Sequence, residues 1–312
     1  MVWLFILVFR AEGDAGSKFL PHPKNQFRRT FMKKVLFVNG PSQDPSDRFF
    51  GWPTSLMYAI AVVIDAIDSG KLALDYHPEI FDPWCYVEGE NDDQVIEEFL
   101  DLIDDVDIIC ASAIYDALYP TLQLFSFAKA LNPNIITVLG GPHFDEAYRV
   151  EGFNDIRLHP NLIDYAIAGD GEYLLLELLR DLSRSQRARI IGVGCRSNGI
   201  GSVCDSQEVM GVGIIHPFLM DDLPYMPLHM ASDRHRMDFE VFTENGQVVP
   251  TAQMIAMRGC PYSCGFCSEN KTLAYPNMRS VDHILKEVWL RKEQGFGAIF
   301  FDDSTFGAYK HL

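Results

Sequence analysis

The sequence predicts an α/β protein: a doubly wound domain with a parallel sheet, followed by the first βα units of a second domain. Three observations lead to this prediction. Short β-rich segments alternate with helical ones between residues 32 and 183, the rhythm of βαβ units. That rhythm is lost over residues 184–250 and resumes in residues 251–312. Hydrophobic residues make up 48% of the 312-residue chain, which is enough for a substantial core.

The first half of the doubly wound domain is predicted from its apolar runs. The run at 35–38 is the first strand, because uninterrupted apolar segments are typical of buried parallel strands. A helix follows Pro53, where apolar residues recur on one face at helical spacing. The second strand covers residues 72–81, and an amphipathic helix covers 95–103. The third strand is predicted at 107–112.

The second half of the domain repeats this alternation. A helix at 120–131 leads into a strand at 135–139, and a fifth strand at 165–168 precedes a leucine-rich helix that ends near residue 182. Ligands of doubly wound sheets bind at the carboxyl ends of the strands, where small residues let a ligand approach the backbone and helix N-termini can hold a phosphate. Taken singly, each such residue could be an ordinary turn residue, but together they favour a site. The small residues at these ends are Gly40, Ser42, Ser112, Gly140, Gly141, Gly169 and Gly171.

Residues 184–250 are predicted to be a linker with hairpins. Two Asn-Gly pairs, Asn198-Gly199 and Asn245-Gly246, lie between short alternating runs, and this dipeptide favours two-residue hairpin turns.

The second domain, residues 251–312, is predicted to be incomplete. A strand at 254–257 is followed by an amphipathic helix from Val281 to Trp289, and a last strand at 298–301 ends at Asp302-Asp303. Two parallel strands cannot bury both faces of a sheet, so we expect further elements to complete this domain.

Charge and targeting signals narrow the classes of partner. The net charge of −17, from 43 acidic and 26 basic residues, argues against nucleic acid and against an anionic membrane surface as partners. The apolar run at 1–9 is shorter than the roughly 20 residues needed to span a bilayer, and no basic segment precedes it. We therefore expect residues 1–31 to be a non-native or disordered extension, with Met32 as the natural start. Seven scattered cysteines form no disulfide framework, which favours a reduced, cytoplasmic protein.

Three of the cysteines form the one specific motif in the chain. Cys260, Cys264 and Cys267 follow a predicted strand at C-x3-C-x2-C spacing. Three thiolates on one loop can bind three irons of a [4Fe–4S] cluster and leave the fourth iron open. The alternatives are inert thiols or a zinc site, which needs a fourth ligand such as the later His283. The four other cysteines are expected to pack as small apolar residues.

The cysteine loop, in the context Met257-Arg258-Gly259-Cys260-Pro261-Tyr262, resembles that of the radical S-adenosylmethionine enzymes, and in particular their cobalamin-binding subgroup. The resemblance implies that the three cysteines hold the cluster and that S-adenosylmethionine chelates its open iron. One-electron reduction would then cleave S-adenosylmethionine to a 5′-deoxyadenosyl radical. Phe266 would lie near the adenine, and Asp302 and Asp303 near the methionine amino group. An electron donor such as flavodoxin or ferredoxin is also implied, together with a small-molecule substrate that the sequence does not identify.

The resemblance extends to the first domain, which is similar to the cobalamin-binding domain of the subgroup. It implies that cobalamin contacts the small residues at the strand ends and assists a methyl transfer or a rearrangement. One departure concerns the axial ligand: the family's D-x-H-x-x-G motif is replaced by Pro41-Ser42-Gln43-Asp44-Pro45, so no lower axial histidine is expected. Two alternatives stay open, a radical enzyme of this type without cobalamin and a non-catalytic metal-binding module. The residues implied for cobalamin are Ser42, Ser112, Gly140, Gly141, Gly169 and Gly171.

Overall fold

A computed structural model describes most of the chain in separate ranges. These are residues 6–8, 33–41, 53–72, 76–83, 92–114, 117–141, 159, 161–184, 199–203, 209–212, 219–230, 241–242, 246–262, 264–267 and 277–307. The helices within them are α1 (Thr54–Asp68), α2 (Asp92–Leu102), α3 (Leu118–Leu131), α4 (Glu172–Arg184) and α5 (Val281–Glu293). The strands are β1 (Ile6–Val8), β2 (Lys33–Asn39), β3 (Tyr76–Phe81), β4 (Ile108–Ser112), β5 (Ile136–Gly140), β6 (Tyr165–Ala168), β7 (Gly199–Val203), β8 (Val209–Val212), β9 (Val241–Phe242), β10 (Val248–Val249), β11 (Thr251–Met254), β12 (Met257–Arg258), β13 (Asn277–Met278) and β14 (Ala298–Phe301).

The larger sheet has seven strands in the order β3-β2-β4-β5-β6-β7-β8, and the first five strands in this order are parallel. The predicted α/β class with a five-stranded parallel sheet is therefore confirmed. The strand order reverses direction between β2 and β4, which is the switch point where doubly wound sheets open a crevice for a ligand. Gly40 and Ser112 lie at this point, and the Gly40 amide donates to the Ser112 carbonyl oxygen at 2.9 Å.

The edge of this sheet differs from the prediction. Residues 199–203 and 209–212, which we assigned to the linker, form β7 and β8 and pair antiparallel beside β6. Gly199 begins a strand instead of lying in a turn, because its segment covers the otherwise open edge of β6. By contrast, Gly246 lies between the paired strands β9 and β10 with a φ of 72°, a conformation that glycine adopts freely.

One face of the larger sheet shares its core with the second unit, which is the part of the chain from residue 251 onwards and contains β11, β14 and the cysteine loop. Phe37 of β2 packs in the same buried cluster as Met57 of α1 and Leu178 of α4. This cluster continues to Met254 of β11 and Ile299 of β14 in the smaller sheet. Helices α1 and α4 therefore lie between the two sheets and bury apolar side chains against both.

The opposite face of the larger sheet has a separate core. Leu36 and Val38 point to this side, where they pack with Phe99 of α2 and Phe125 of α3. The alternation of Leu36 and Phe37 between the two clusters is the period-two pattern of a strand covered on both faces. Within the described ranges, no helix combines the length and the apolar character that crossing a membrane requires.

The smaller sheet has the order β1-β14-β11, with β11 parallel and β1 antiparallel to β14. Strand β1 lies within residues 1–31, to which the sequence assigned no secondary structure. Its three apolar residues cover an edge of β14. The strand predicted at 254–257 is divided, because the chain leaves the sheet at Ile255 and residues 257–258 pair with β13.

A buried ion network fixes helix α5 to the segment that leads into the cysteine loop. Glu287 lies between two arginines, with its Oε2 2.6 Å from Arg279 and its Oε1 2.5 Å from Arg291. Arg279 also donates to the Ile255 carbonyl oxygen at 2.9 Å, and its backbone amide donates to Ala256 at 3.0 Å. The network therefore fixes the position of the chain just before the cysteine loop.

Candidate functional site

A cavity of about 590 Å³ lies between the carboxyl ends of the larger sheet and the second unit. Its wall is built from residues that the sequence analysis assigned to two different cofactors. One part of the wall carries small residues at strand ends, and the opposite part carries residues of the cysteine loop and of the turn after β14. These lining residues are Ser112, Gly140, Gly141, Gly169 and Gly171 on the first side, and Cys267, Asp302 and Asp303 on the second.

Two neighbouring glycines in this wall have different reasons to be glycine. Gly141 has a φ of 107°, and an added Cβ would lie 2.6 Å from the backbone of Ala113, so the loop itself requires glycine. At Gly140 an added Cβ would come no closer than 3.4 Å to the nearest protein atom, the carbonyl oxygen of Ile167. The fold therefore tolerates a methyl group at Gly140.

Arg258 crosses from the second unit to the first at this cavity. Its guanidinium donates to Asp170 Oδ1 at 2.9 Å and to Glu172 Oε1, and it lies over the ring of Tyr58, 5.7 Å from the centroid. Burial alone would lower the pKa of Arg258, but the carboxylates of Glu172 and Asp170 raise it. Arg258 is therefore a permanent cation, and it connects the segment that leads into the cysteine loop to the N-terminus of α4.

The start of α4 is an acidic site, which differs from the phosphate site that its position suggested. Asp170 and Glu172 both lie at this N-terminus, and burial raises the pKa of Asp170. The positive end of the helix dipole is thus already occupied by carboxylates. A phosphate placed there would meet two negative groups and a single arginine that both already bind.

Asp303 combines a structural contact with an unsatisfied oxygen. Its Oδ1 accepts hydrogen bonds from the amides of Ala256 at 2.8 Å and Met257 at 3.2 Å. Its Oδ2 is buried and has no hydrogen-bond partner within the described part of the chain. Burial raises the pKa of Asp303 to about 6. A residue that lines the cavity therefore carries a buried acceptor oxygen that is not satisfied within the described residues.

Asp302, the first residue after β14, connects the second unit to helix α1 of the larger unit. Its Oδ2 accepts a hydrogen bond from the Thr54 hydroxyl at 3.1 Å, at the first residue of α1. Its backbone amide donates to the Met254 carbonyl oxygen at 2.8 Å. Both aspartates predicted from the sequence thus line the cavity, and each also holds a neighbouring element in place.

The cysteine loop has the predicted order of thiols but not a closed ligand cage. Cys264 is exposed, Cys260 and Cys267 are partly exposed, and the Cys260 Sγ lies 3.1 Å from the Thr305 hydroxyl. Among the described residues, no three histidine, cysteine or acidic side chains are close enough to hold a metal ion. Phe266 is 94% exposed and does not line the cavity, and Ser42 falls outside the described ranges.

The donor set nevertheless fits an iron–sulfur cluster better than zinc. The three thiols lie on one loop after β12, and Cys267 also reaches the cavity. A tetrahedral zinc site needs a fourth ligand, and the predicted candidate His283 instead accepts a hydrogen bond from Arg279 at 3.0 Å. A cluster with three protein ligands needs no fourth side chain.

The cavity fits S-adenosylmethionine by size and by charge. Its volume lies within the roughly 300–1,000 Å³ of pockets for one small organic ligand. Its described lining has four carboxylates and one arginine, an arrangement that favours a ligand with positive charge. A corrinoid is larger than this cavity and would extend beyond it, although the small residues at the strand ends fit a flat ligand. The charged residues are Asp170, Glu172, Arg258, Asp302 and Asp303.

Sequence reasoning missed Arg258, Glu172 and Thr54 as site residues. Arg258 and Glu172 were present in the quoted motifs, but only the cysteines and glycines of those motifs were assigned roles. The opposite charges of Arg258 and of the acidic residues after the fifth strand are visible in the sequence, but charge alone does not show that these residues are in contact. Thr54 carries no such signal, because its bond to Asp302 depends on how the two units pack.

Comparison with curated proteins finds relatives that are enzymes by name. An uncharacterized methyltransferase from Pyrococcus horikoshii is 27% identical over 282 residues, 88% of this chain and 54% of that protein. The anaerobic magnesium-protoporphyrin IX monomethyl ester cyclase of Rubrivivax gelatinosus is 27% identical over 230 residues, 71% of this chain and 38% of the cyclase. The cyclase of the same name from Cereibacter sphaeroides is 24% identical over 202 residues, 63% of this chain and 30% of the cyclase.

Each match covers a larger share of this chain than of the relative. The chain spans about half of the length of the methyltransferase and less of the two cyclases. No protein-family model matches the chain. The chain is therefore related, at low identity, to enzymes of methyl transfer and ring closure.

Proposed function

We propose that this chain contains the cofactor-binding units of a radical S-adenosylmethionine enzyme of the cobalamin-binding type. One observation carries the proposal: residues assigned from the sequence to S-adenosylmethionine and residues assigned to cobalamin line the same cavity. Two cofactors that act together in one reaction must meet, and a shared wall lets them do so. The names of the relatives, a methyltransferase and two cyclases, agree with methyl transfer or rearrangement as the reaction class.

Cys260, Cys264 and Cys267 would hold the iron–sulfur cluster in this proposal. The bound cluster would supply the electron for reductive cleavage of S-adenosylmethionine to a 5′-deoxyadenosyl radical. The exposed position of Cys264 leaves that side of the loop open to an electron donor such as flavodoxin or ferredoxin. Gly259, with a φ of 81°, turns the chain sharply between Arg258 and the first thiol.

The other residues of the cavity would bind and orient the ligand. The free Oδ2 of Asp303 would accept a hydrogen bond from the amino group of S-adenosylmethionine. Arg258, locked between Asp170 and Glu172, would keep the cysteine loop at a fixed distance from the strand ends. The bond between Thr54 and Asp302 would hold the two walls together.

Anaerobic reconstitution with iron and sulfide tests the cluster. We expect bound iron and a broad absorbance band at about 400 nm. After reduction with dithionite, the protein should form 5′-deoxyadenosine from S-adenosylmethionine. Cys264→Ala should lose iron and cleavage, whereas Cys204→Ala removes a thiol outside the loop and should keep both. Stoichiometric zinc in protein purified under air, with no iron after reconstitution, would instead support a non-catalytic metal-binding module.

A second candidate function is a radical S-adenosylmethionine enzyme without cobalamin. The cavity volume favours it, since about 590 Å³ holds S-adenosylmethionine but only part of a corrinoid. Incubation with hydroxocobalamin followed by gel filtration separates the two candidates. Corrinoid absorbance that elutes with the protein supports the cobalamin-binding type. An intact cluster without retained corrinoid supports the second candidate.

A further inference from the structure

Glu172 lines the cavity, and one oxygen of its carboxyl group has no partner among the described residues. Glu172 is 3% exposed, and its Oε1 accepts a hydrogen bond from Arg258. Its Oε2 is buried and lacks a hydrogen-bond partner in the described part of the protein. Buried carboxylate oxygens are normally satisfied, because an unsatisfied one has lost its hydration without replacement. We propose that Glu172 Oε2 binds the positive charge of an organic cation held in this cavity.

The remaining charges of the cavity support a cation and oppose an anion. Four carboxylates line it against a single guanidinium, and Arg258 is already divided between Asp170 and Glu172. Asp303 also lines this cavity, and its carboxyl group likewise has a buried oxygen without a partner in the described part of the chain. A ligand with an ammonium or sulfonium group would therefore bring the missing positive charge. A phosphate or carboxylate group at this position would add to the negative charge.

The position of Glu172 extends the site beyond the cysteine loop. Glu172 begins α4 in the larger, doubly wound unit, whereas the cysteines and Asp303 belong to the second unit. The same carboxyl group holds Arg258, two residues before Cys260. A cation bound at Oε2 would thus sit beside the contact that positions the cysteine loop.

Two ligands could supply this charge. One is S-adenosylmethionine itself, with its ammonium and sulfonium groups, and for that source the inference rests on the proposed function. The other is the amino group of a substrate, and for that source the inference is independent of S-adenosylmethionine. The shared chemistry is an organic cation in hydrogen-bond contact with a buried carboxylate.

Glu172→Gln in the full chain is the direct test. Glutamine keeps an oxygen for Arg258 and removes the negative charge. Glu177→Gln is the matched control, because Glu177 lies on the same helix and forms an exposed pair with Arg180. Glu172→Asp keeps the charge and serves as the conservative variant, and circular dichroism with thermal unfolding shows that each variant is folded. The probes are S-adenosylmethionine, the uncharged 5′-methylthioadenosine, and the diamine putrescine, each titrated by calorimetry with and without the reconstituted cluster.

The expected result is a charge-dependent loss of affinity. Glu172→Gln should weaken S-adenosylmethionine or putrescine by roughly ten- to hundredfold, the range of one charge-assisted hydrogen bond. It should leave 5′-methylthioadenosine unchanged, and Glu177→Gln should change none of the three. If Glu172→Gln binds S-adenosylmethionine more weakly, the cofactor is the ligand that supplies the positive charge. If Glu172→Gln weakens the binding of putrescine alone, the ligand is a substrate amine. This result would support the inference even if no cluster forms and the proposed function fails.

Two results would overturn the inference. The first is a Glu172→Gln protein that is folded and binds every probe as the wild type does. The second is a wild-type protein that binds neither charged probe, with or without the cluster.

Discussion

The charge on Asp303 offers the prediction with the clearest magnitude. Burial raises the pKa of this carboxyl group from 3.8 to about 6. One pKa unit corresponds to about 1.36 kcal/mol, so ionised Asp303 destabilises the native state by about 3 kcal/mol at neutral pH. Asp303→Asn keeps an oxygen for the amides of Ala256 and Met257 and removes the charge. We expect this variant to be more stable than the wild type by roughly 2–3 kcal/mol near pH 8.

The sign of this effect follows from linkage. Because the native pKa lies above the unfolded value, protonation of Asp303 favours folding, and the wild type loses this stability as pH rises through about 6. Asparagine does not titrate. The stability difference between variant and wild type should therefore be below about 1 kcal/mol at pH 4 and reach its full size above about pH 7.

Urea unfolding at several pH values measures this difference. Asp101→Asn removes one negative charge from an exposed position on α2 and should change stability by less than about 0.5 kcal/mol at every pH. The same Asp303→Asn protein should bind S-adenosylmethionine more weakly, so stability and binding should move in opposite directions. An Asp303→Asn protein that is less stable than the wild type at every pH would refute the reasoning, since burial would then not dominate the energy of this carboxylate.

Four further substitutions test the cavity wall and the ion network of helix α5. Arg258→Met leaves the buried carboxylate of Glu172 and the partly buried one of Asp170 without an opposing charge, and we expect the free energy of unfolding in urea to fall by about 3 kcal/mol. Gly141→Ala should lower the Tm by several degrees, whereas Gly140→Ala, with room for the methyl group, should change it little. Glu287→Gln leaves two buried arginines without their partner and should lower stability by about 3–5 kcal/mol. Equal Tm values for the two alanine variants, or an unfolding midpoint unchanged by either charge removal, would contradict these expectations.

The sequence was sufficient where periodicity decides the structure. Strand β2 and helices α1, α2 and α3 are long and periodic, so their positions follow from which face is apolar. Hairpins were predicted within residues 184–250, and β7 and β8 form an antiparallel pair there, but the sequence did not indicate that this pair joins the larger sheet beside β6. Gly199 lies in strand β7 and pairs with Ala168, so at this residue pairing with β6 outweighed the local turn preference of the Asn-Gly dipeptide.

The site was predictable only in part. Cys260, Cys264 and Cys267 were identified because all three lie in one short segment, at the spacing that binding of one cluster requires. Arg258 and Glu172 lie 86 residues apart, and their ion pair depends on packing between the two units. No local pattern encodes such a pair, so a single sequence reveals the residue types but not their contact.

The shared core of the two sheets has a consequence for dissecting the protein. Helices α1 and α4 bury side chains against both the larger and the smaller sheet. Cleaving the chain near residue 250 would therefore expose apolar surface on each half. Neither half is then an autonomous module, and fragments expressed separately should stick together or precipitate. Grafting the cysteine segment onto a foreign scaffold would require carrying those two helices along with it.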